Sequence, residues 1–242
     1  MNKVKRAIIM AAGKGTRLAP VTDTVPKPLV RVNGVRMIDT VIGALHRQGI
    51  TEIYVVVGYL REKFAGLEAE YPGLTLIENP YYDTCNNISS LYVAREHLED
   101  TFILDGDQLV FEDSILNPEF ERSGYSAVWT DGETDEWLMT ADERGVVTAC
   151  SRTGGSRGWQ LYSLSRWSAA DGAKLRRHLE EEFDEKQNRQ IYWDDVAMFC
   201  HFSEYTLGIT PMNAGNLVEI DNFSELCAAD PSYCPPEERN QK

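Results

Sequence analysis

The sequence predicts an α/β fold with a central mixed, mostly parallel sheet and a small antiparallel insert. An apolar run at 7–12 leads directly into a glycine-rich loop, which is typical of a buried strand in a parallel sheet. Apolar strand patterns at 52–57 and 74–78 follow, with helical spacing between the strands, and this alternation predicts right-handed βαβ units. From residue 125 onward, short strand patterns separated by polar turns predict antiparallel pairing instead.

The other elements follow from apolar spacing and from end signals. Residues 37–48 have apolar positions at helical spacing, and Gly49 would end that helix. Further along the chain we predict helices at 60–70 and 86–98, a strand at 101–104, an antiparallel meander of strands at 125–130, 136–140, 146–151 and 159–163, an acidic helix within 165–185, a strand at 217–220 and a last helix from 222. The chain is expected to be one domain, 1–229, with the meander at roughly 125–165 and a mobile tail at 230–242.

The composition argues against a surface for nucleic acid or for an anionic membrane. The 242 residues carry a formal net charge of −14, and 43% of them are hydrophobic, as in an ordinary globular protein. Five cysteines without a CxxC pair indicate reduced thiols, so we expect a cytoplasmic protein. No segment is long enough to span a membrane. The run Glu180-Glu181-Glu182 is interpreted as a solvated helix face.

The loop after the first strand predicts a site for a nucleoside triphosphate. Gly13 and Gly15 let the backbone bend and approach a ligand, so that N–H groups can surround phosphate oxygens. Arg17 adds a planar charged fork, and Lys27 is fixed between two prolines. The pattern is neither a Walker A loop nor a dinucleotide GxGxxG motif. The alternative is a plain glycine-rich connector.

Carboxylates follow two predicted strands and suggest a magnesium site. Asp107 lies just beyond the strand 101–104, and Asp221 ends the late strand. Mg²⁺ prefers one or two carboxylates together with substrate phosphates. The alternative for Asp107 is an Asp-Gly turn. The Asn and Ser residues of 86–90 could cap a helix or face a ligand, and both interpretations stay open.

The stretch 191–195 places two aromatic residues beside two carboxylates. Aromatic faces attract quaternary ammonium groups, and carboxylates add Coulomb attraction. The alternative is that Tyr192 and Trp193 belong to the core, while Asp194 and Asp195 cap a helix.

Similarity to a known family begins in AAGKGTRLAP and the following PKPL. These resemble the signature of the sugar-nucleotide type nucleotidyltransferases, which transfer a nucleoside monophosphate from a triphosphate to a phosphorylated acceptor and release pyrophosphate. Later segments, in the same order, resemble bacterial CTP:phosphocholine cytidylyltransferases: VVGYLREKF, NNISSLY, DGDQ, DEWLM, YWDD and EIDNFSEL. The resemblance covers the chain to about residue 226 and implies a Rossmann-like nucleotidyltransferase fold.

The resemblance and the residue patterns together predict a set of site residues. Lys27, Arg17 and Asp107 are the expected catalytic residues, and Asp107 and Asp221 are the expected Mg²⁺ ligands. The expected nucleotide-binding residues are Ala11, Ala12, Gly13, Gly15, Thr16, Arg17, Lys27, Gly58, Asn87, Ser90 and Asp105. The expected acceptor-binding residues are Glu136, Trp137, Tyr192, Trp193 and Asp194.

The reaction implied by the resemblance is transfer of CMP from CTP to a small aminoalkyl phosphate, with phosphocholine as the acceptor. The alternatives are 2-aminoethylphosphonate or a related phosphonate, and, further away, a sugar-1-phosphate. A regulatory domain that senses nucleotides without turnover is disfavoured because both Asp107 and Asp221 are present. The Asp-Gly-Asp-Gln sequence at 105–108 and the glycine-rich segment 154–158 depart from the family pattern, and they leave the acceptor more open than the reaction type.

Overall fold

A computed structural model describes residues 1–234 and contains a mixed sheet, as predicted; the sheet has nine strands, one of which, at 208–211, was not predicted. The strands of at least three residues, including two that lie outside this sheet, are β1 (Arg6–Ala11), β2 (Glu52–Val57), β3 (Leu74–Glu78), β4 (Thr101–Asp105), β5 (Gln108–Val110), β6 (Gly124–Thr130), β7 (Leu138–Ala141), β8 (Val147–Ser151), β9 (Gly158–Trp167), β10 (Gly208–Pro211) and β11 (Leu217–Glu219). Strands β5 and β11 form a separate antiparallel pair. Two-residue strands pair Asn2–Lys3 with Glu119–Phe120 and Arg31–Val32 with Val35–Arg36.

The order of the strands explains where a ligand can bind. The main path runs β8-β7-β9-β4-β1-β2-β3, and the four strands from β4 to β3 are parallel. The chain adds β2 and β3 on one side of β1 and then returns to add β4 on the other side. The carboxyl ends of β1 and β4 are therefore neighbours at a topological switch point, where open α/β sheets bind ligands.

Helices cover both faces of the sheet. They are α1 (Met37–Arg47), α2 (Leu67–Glu70), α3 (Ile88–Val93), α4 (Ala169–Glu180), α5 (Trp193–Asp195) and α6 (Phe223–Ala229). Because successive strand residues point to opposite faces, Ile9 packs in the core under α1 while Ile8 packs in the core under α3 and α4. Burial of both faces explains the unbroken apolar run of β1.

The antiparallel part is not a simple meander. Its first strand, β6, pairs with its last, β9, and β7 lies on the other edge of β9 beside β8. Strand β9 also extends to Trp167, beyond the predicted 159–163, and its second half pairs with β4. The small insert and the parallel sheet therefore share one long strand, a long-range pairing that local turn signals do not reveal.

Two predicted helices are shorter than expected. The segment predicted as a helix at 60–70 is a 3-10 turn at Arg61–Phe64 followed by α2, and Gly66, a weak helix former, lies between the two. The helix predicted at 86–98 ends at Val93 and continues as a 3-10 turn at Arg95–His97. By contrast, α1 ends one residue before the predicted boundary, and Gly49 adopts a positive φ just beyond it, as a C-cap glycine does.

Glu182 corrects the interpretation of the acidic run as a solvated face. Its side chain is only 2% exposed, because α4 continues as a wider π-type turn at Glu181–Glu185 that turns this residue inward. Lys186 Nζ and Asn188 Nδ2 donate to its two carboxylate oxygens at 2.7 and 2.9 Å, and His201 Nε2 lies 3.0 Å from Oε1. Burial alone would raise the pKa of Glu182, but these donors lower it below its ordinary value.

The first residues of the predicted tail are attached to the domain. The backbone N–H of Asn33 donates to Asp230 Oδ2 at 2.7 Å, and the Tyr233 hydroxyl donates to the carbonyl of Arg31 at 2.8 Å. The remainder of that prediction, 235–242, lies outside the described residues.

Among residues 1–234, no helix is both long and apolar enough to cross a membrane.

Replacing Glu182 by Gln should lower the free energy of unfolding by about 1.5–3 kcal/mol, because a buried charged acceptor is lost from three partners. The matched control, Glu181→Gln, breaks only a surface ion pair with Lys186 and should cost less than about 1 kcal/mol. Urea denaturation measures both. The pKa of Glu182 is lowered on folding. The difference in free energy of unfolding between the parent and Glu182→Gln should therefore be largest above about pH 5, and it should shrink as the pH falls through the lowered pKa. Equal losses in both variants would contradict the assigned role.

Candidate active site

Two adjoining cavities open at the carboxyl ends of β1 and β4. Each has a volume of about 320 Å³. The first lies under the glycine-rich loop, and the second lies toward the antiparallel strands. They share a wall made of Arg17, Asp105, Asp107 and Asp221. The first is called the loop cavity below and the second the acid cavity.

The loop cavity is built by close packing of the glycine loop on Lys27. Gly13, Gly15 and Thr16 all line it. Gly15 has φ +61°, and a Cβ at this position would lie 2.9 Å from Lys27 Cβ. A side chain at position 15 would thus be strained and would also displace the lysine stem. The loop is held from outside by Thr22, whose hydroxyl donates to the Gly15 carbonyl at 2.9 Å.

Lys27 connects the carboxylates that follow two different strands. Its Nζ lies 2.5 Å from Asp107 Oδ2 and 3.2 Å from Asp221 Oδ1, and the residue is only 7% exposed. Arg17 Nη2 reaches the same Asp221 oxygen at 2.9 Å. Burial by itself lowers the pKa of Lys27, but the two carboxylates raise it above its ordinary value, so the ammonium stays charged.

The donor set fits a divalent cation. Asp107 and Asp221 approach one ammonium group, so their carboxylates converge on a common volume beside the phosphate loop. Hard oxygen ligands of this kind suit Mg²⁺, which also takes oxygens from bound phosphates. These two residues are the ones that would hold the ion.

The acid cavity concentrates carboxylates in a partly desolvated space. Asp105, Glu136, Asp194 and Glu219 line it together with the shared Asp107 and Asp221. Burial raises the pKa of Asp194 to about 8 and that of Glu219 to about 7. The pKa of Asp105 is raised for the same reason and further by Asp107. A cation bound among these groups would favour their ionised forms.

One carboxylate oxygen of this cavity lacks a well-aligned hydrogen bond within residues 1–234. Asp194 is 7% exposed, and its Oδ1 has no donor at good geometry, although the nearby Tyr125 hydroxyl partly offsets the effect of burial on the pKa of this carboxyl. By contrast, Glu219 Oε1 accepts a hydrogen bond from Gln108 Nε2 at 2.8 Å. Burying a carboxylate oxygen without a well-aligned donor is costly.

The aromatic residues nominated for the acceptor are separated by the fold. Trp137 and Tyr192 both line the acid cavity and meet edge to face, with ring centroids 5.9 Å apart. Trp193 is 1% exposed and packs beside Tyr125 and Trp167, so it lies in the core and not in the acceptor site. The structure thus agrees with the core alternative for Trp193 but not for Tyr192, which is 49% exposed.

The two neighbouring aspartates also have different surroundings. The backbone N–H of Tyr192 donates to Asp195 Oδ2 at 2.8 Å, so Asp195 caps the short helix α5. Asp194 turns into the acid cavity instead.

Three residues nominated for the nucleotide do not line either cavity. The Ala12 carbonyl accepts a hydrogen bond from the Tyr59 N–H at 3.1 Å, Gly58 packs against the Tyr82 ring, and the Ser90 hydroxyl accepts from Asn79 Nδ2 at 3.0 Å. The other nominated nucleotide residues line the loop cavity or the acid cavity: Ala11, Gly13, Gly15, Thr16, Arg17, Lys27, Asn87 and Asp105.

Sequence reasoning missed Glu219, Leu161 and Ser163, which line the acid cavity. A signal for Glu219 was available: it precedes Asp221 by two residues at the end of a strand, and alternate strand residues share a face. Leu161 and Ser163 lie in β9, and no local pattern distinguishes them from other strand residues.

Comparison with known proteins gives consistent matches. A family model described as "MobA-like NTP transferase domain" matches residues 7–184. The chain is 43% identical to the 2-aminoethylphosphonate cytidylyltransferase of Lancefieldella rimae, over 94% of this chain and 92% of that protein. It is 32% identical to the choline-phosphate cytidylyltransferase of Streptococcus pneumoniae, over 91% of this chain and 94% of that protein.

A solved structure has the same architecture. The CTP:phosphocholine cytidylyltransferase from Streptococcus pneumoniae superposes with a TM-score of 0.88 at 29% identity, covering 96% of this chain and all of that one. The fold and the resemblance predicted from the sequence are confirmed.

Trp193→Ala should reduce the free energy of unfolding by about 3–5 kcal/mol, because it empties a large volume in a closely packed core. Tyr192→Ala, the neighbouring control, should cost less than about 1 kcal/mol, because half of that side chain is already exposed. Denaturant melts of the ligand-free protein measure both values. If the two losses were equal, the placement of Trp193 in the core would be refuted.

Proposed function

Since this chain belongs to the MobA-like NTP transferase domain family and is a nucleotidyltransferase, we propose that it transfers the cytidylyl group of CTP to 2-aminoethylphosphonate or a closely related aminoalkyl phosphonate. The phosphonate oxygen of the acceptor attacks the α-phosphorus of CTP. The bond from that phosphorus to the oxygen bridging toward the β-phosphate breaks, and pyrophosphate leaves. The amine carries no part of the bond change and serves for recognition.

The observation that carries the choice of acceptor is the balance of acids and aromatics in the acid cavity. Six carboxylates line it, while Trp137 and Tyr192 are its aromatic residues. A primary ammonium has three N–H donors and can satisfy several of the carboxylates that line the cavity. A quaternary ammonium has no donor and depends on aromatic faces. The 43% identity to a 2-aminoethylphosphonate enzyme supports the same choice.

Phosphocholine is the second candidate. The edge-to-face pair of Trp137 and Tyr192 offers aromatic surface to a trimethylammonium group, and the pneumococcal relatives are named for that substrate. Trp193 lies in the core, so only two of the three aromatic residues predicted to contact this substrate line the cavity.

The residues of the chain act by positioning and by neutralising charge. The acceptor is already anionic at neutral pH, so the reaction needs no protein nucleophile and no general base. The loop N–H groups and Arg17 hold the triphosphate, and Lys27 offsets negative charge that develops at the reacting phosphate. Asp107 and Asp221 would hold Mg²⁺, which when bound neutralises phosphate charge and orients the leaving group.

An acceptor panel tests the substrate. With CTP and Mg²⁺, pyrophosphate release is measured against 2-aminoethylphosphonate, phosphoethanolamine, phosphocholine and glucose-1-phosphate. The primary amines should exceed phosphocholine in kcat/KM by on the order of tenfold or more, because carboxylates left without donors penalise the quaternary acceptor. A clear preference for phosphocholine would establish the second candidate, and reaction with the sugar phosphate alone would refute both.

Substitutions test the assigned machinery. Lys27→Ala and Asp107→Ala should each lower kcat by on the order of 100-fold or more, because the first removes a cation beside the reacting phosphate and the second removes a carboxylate that would hold Mg²⁺ there. The control is Lys14→Ala in the same loop, since Lys14 pairs with Asp83 and does not line the loop cavity. That variant should stay within about threefold of the parent. Thermal unfolding identifies any variant that is simply misfolded, and near-normal turnover in folded Lys27→Ala would rule out its role.

A further inference from the structure

A third cavity, of about 340 Å³, lies away from the catalytic region and is lined by three arginines. They are Arg122 from the segment before β6, Arg144 from the β7–β8 turn and Arg166 near the end of β9. This arginine cavity shares no lining residue with the loop cavity or the acid cavity. Nothing in the proposed reaction uses it.

Arg166 is a buried cation without a counter-charge among residues 1–234. It is only 3% exposed, and burial is the one effect that shifts its pKa, with no carboxylate of the described chain offsetting it. Its Nη2 donates to the Ile115 carbonyl at 2.7 Å, and its guanidinium carbon lies 5.3 Å from the centre of the Phe102 ring. The Nε atom is buried and has no acceptor among residues 1–234. Burial lowers the pKa of Arg166 to about 10, so the group is still charged at neutral pH.

Arg122 supplies a second unsatisfied donor to the same cavity. Its Nη1 is buried and has no acceptor in the part of the chain that the structure describes. Its stem packs on Gly208, where an added Cβ would lie 2.6 Å from Arg122 Cγ. Gly208 in turn is fixed by pairing with Gly124 in the sheet. The direction of Arg122 is therefore set by the sheet rather than by solvent.

The other charged residues that line the arginine cavity lie at its solvent-exposed edge. Arg144 is paired with Asp142 and its side chain is 80% exposed. Glu119 and Glu121 also line the cavity, but both are exposed to water. Their charges are screened by solvent, whereas the charge of Arg166, which is 3% exposed, is screened much less.

A purely structural role explains only part of this arrangement. The hydrogen bond to the Ile115 carbonyl satisfies one N–H of Arg166, whose side chain has five. Within residues 1–234, it leaves Arg166 Nε and Arg122 Nη1 unpaired and the positive charge of Arg166 uncompensated. Buried charges in proteins are normally paired, because unpaired ones are costly.

We propose that the arginine cavity binds a small phosphoryl or phosphonyl oxyanion. A dianion would balance the guanidinium groups of Arg166 and Arg122, and its oxygens would accept from the N–H groups of these side chains that face the cavity, in the forked geometry that arginine offers. The hydroxyls of Ser114 and Thr210 and the amide of Asn117 line the same cavity and can bind a substituent of the anion. The site is independent of the proposed reaction and would be a second, non-catalytic anion site.

Inorganic phosphate is the probe for this site, without CTP, acceptor or metal, so the outcome does not depend on the proposed function. The Nε–Hε resonance of Arg166 is followed by NMR as phosphate is added, with chloride at matched ionic strength as the salt control. To remove binding at the loop cavity, the titration is repeated in Arg17→Gln. The resonance should shift saturably in both backgrounds.

Variants then assign the shift to the cavity. Arg122→Gln should weaken phosphate binding by on the order of tenfold or more, because a charge-assisted contact is lost. Arg144→Gln, at the exposed edge, should change it by less than about threefold. Both should keep turnover near that of the parent. Phosphate should also raise the thermal midpoint of the parent, and this increase should be lost in Arg122→Gln.

Two results would overturn the proposal. One is a resonance of Arg166 that does not move at phosphate concentrations up to about 50 mM, well above those of a functional anion site. The other is a phosphate response that survives in Arg122→Gln and disappears in Arg17→Gln, which would place all binding in the loop cavity.

Discussion

The contact of one buried ammonium group with two carboxylates organises the active region. Lys27 lies in the segment after the glycine loop, Asp107 follows β4, and Asp221 follows β11. Three parts of the chain that are distant in sequence therefore meet at one charged group that is 7% exposed. The pairing of β1 with β4 makes this possible, because it brings the glycine loop and the β4 carboxylates to the same edge of the sheet.

The same arrangement makes the acid cavity unfavourable for the free energy of folding. Carboxylates that share a desolvated space raise one another's pKa values, and burial adds to the effect, as Asp105, Asp194 and Glu219 show. Such a cluster opposes folding unless protons or cations compensate it. A site that binds cationic ligands would require such a cluster of carboxylates, and here the cluster lies beside Lys27 and Arg17. A cavity built only for stability would bury apolar groups instead.

Much of the fold and part of the site could be predicted from the sequence, and the failures have physical reasons. Apolar runs locate the parallel strands because both faces are buried, and the glycine loop is recognisable because its neighbours Arg17 and Lys27 are rare beside a plain connector. Periodicity does not reveal long-range pairing, so the strand predicted at 159–163 was placed correctly but its extension to Trp167 and its pairing with β4 were missed. A local pattern also cannot say which of two adjacent aromatics faces the core, as Tyr192 and Trp193 show. Glu182 was misplaced because a π-type turn shifts the helical face.

The loop cavity and the acid cavity make opposite demands on a ligand, and this constrains how the proposed acceptor would lie. The loop cavity offers Lys27, Arg17 and backbone N–H groups to an anion, whereas the acid cavity beyond the shared wall presents carboxylates, which favour a cation. A zwitterion a few bonds long satisfies both when its ammonium enters the acids and its phosphonate points toward Arg17 and Lys27. That orientation directs the attacking oxygen toward the triphosphate without a catalytic base. In this arrangement, recognition of the amine and alignment for the reaction are achieved by the same electrostatic gradient.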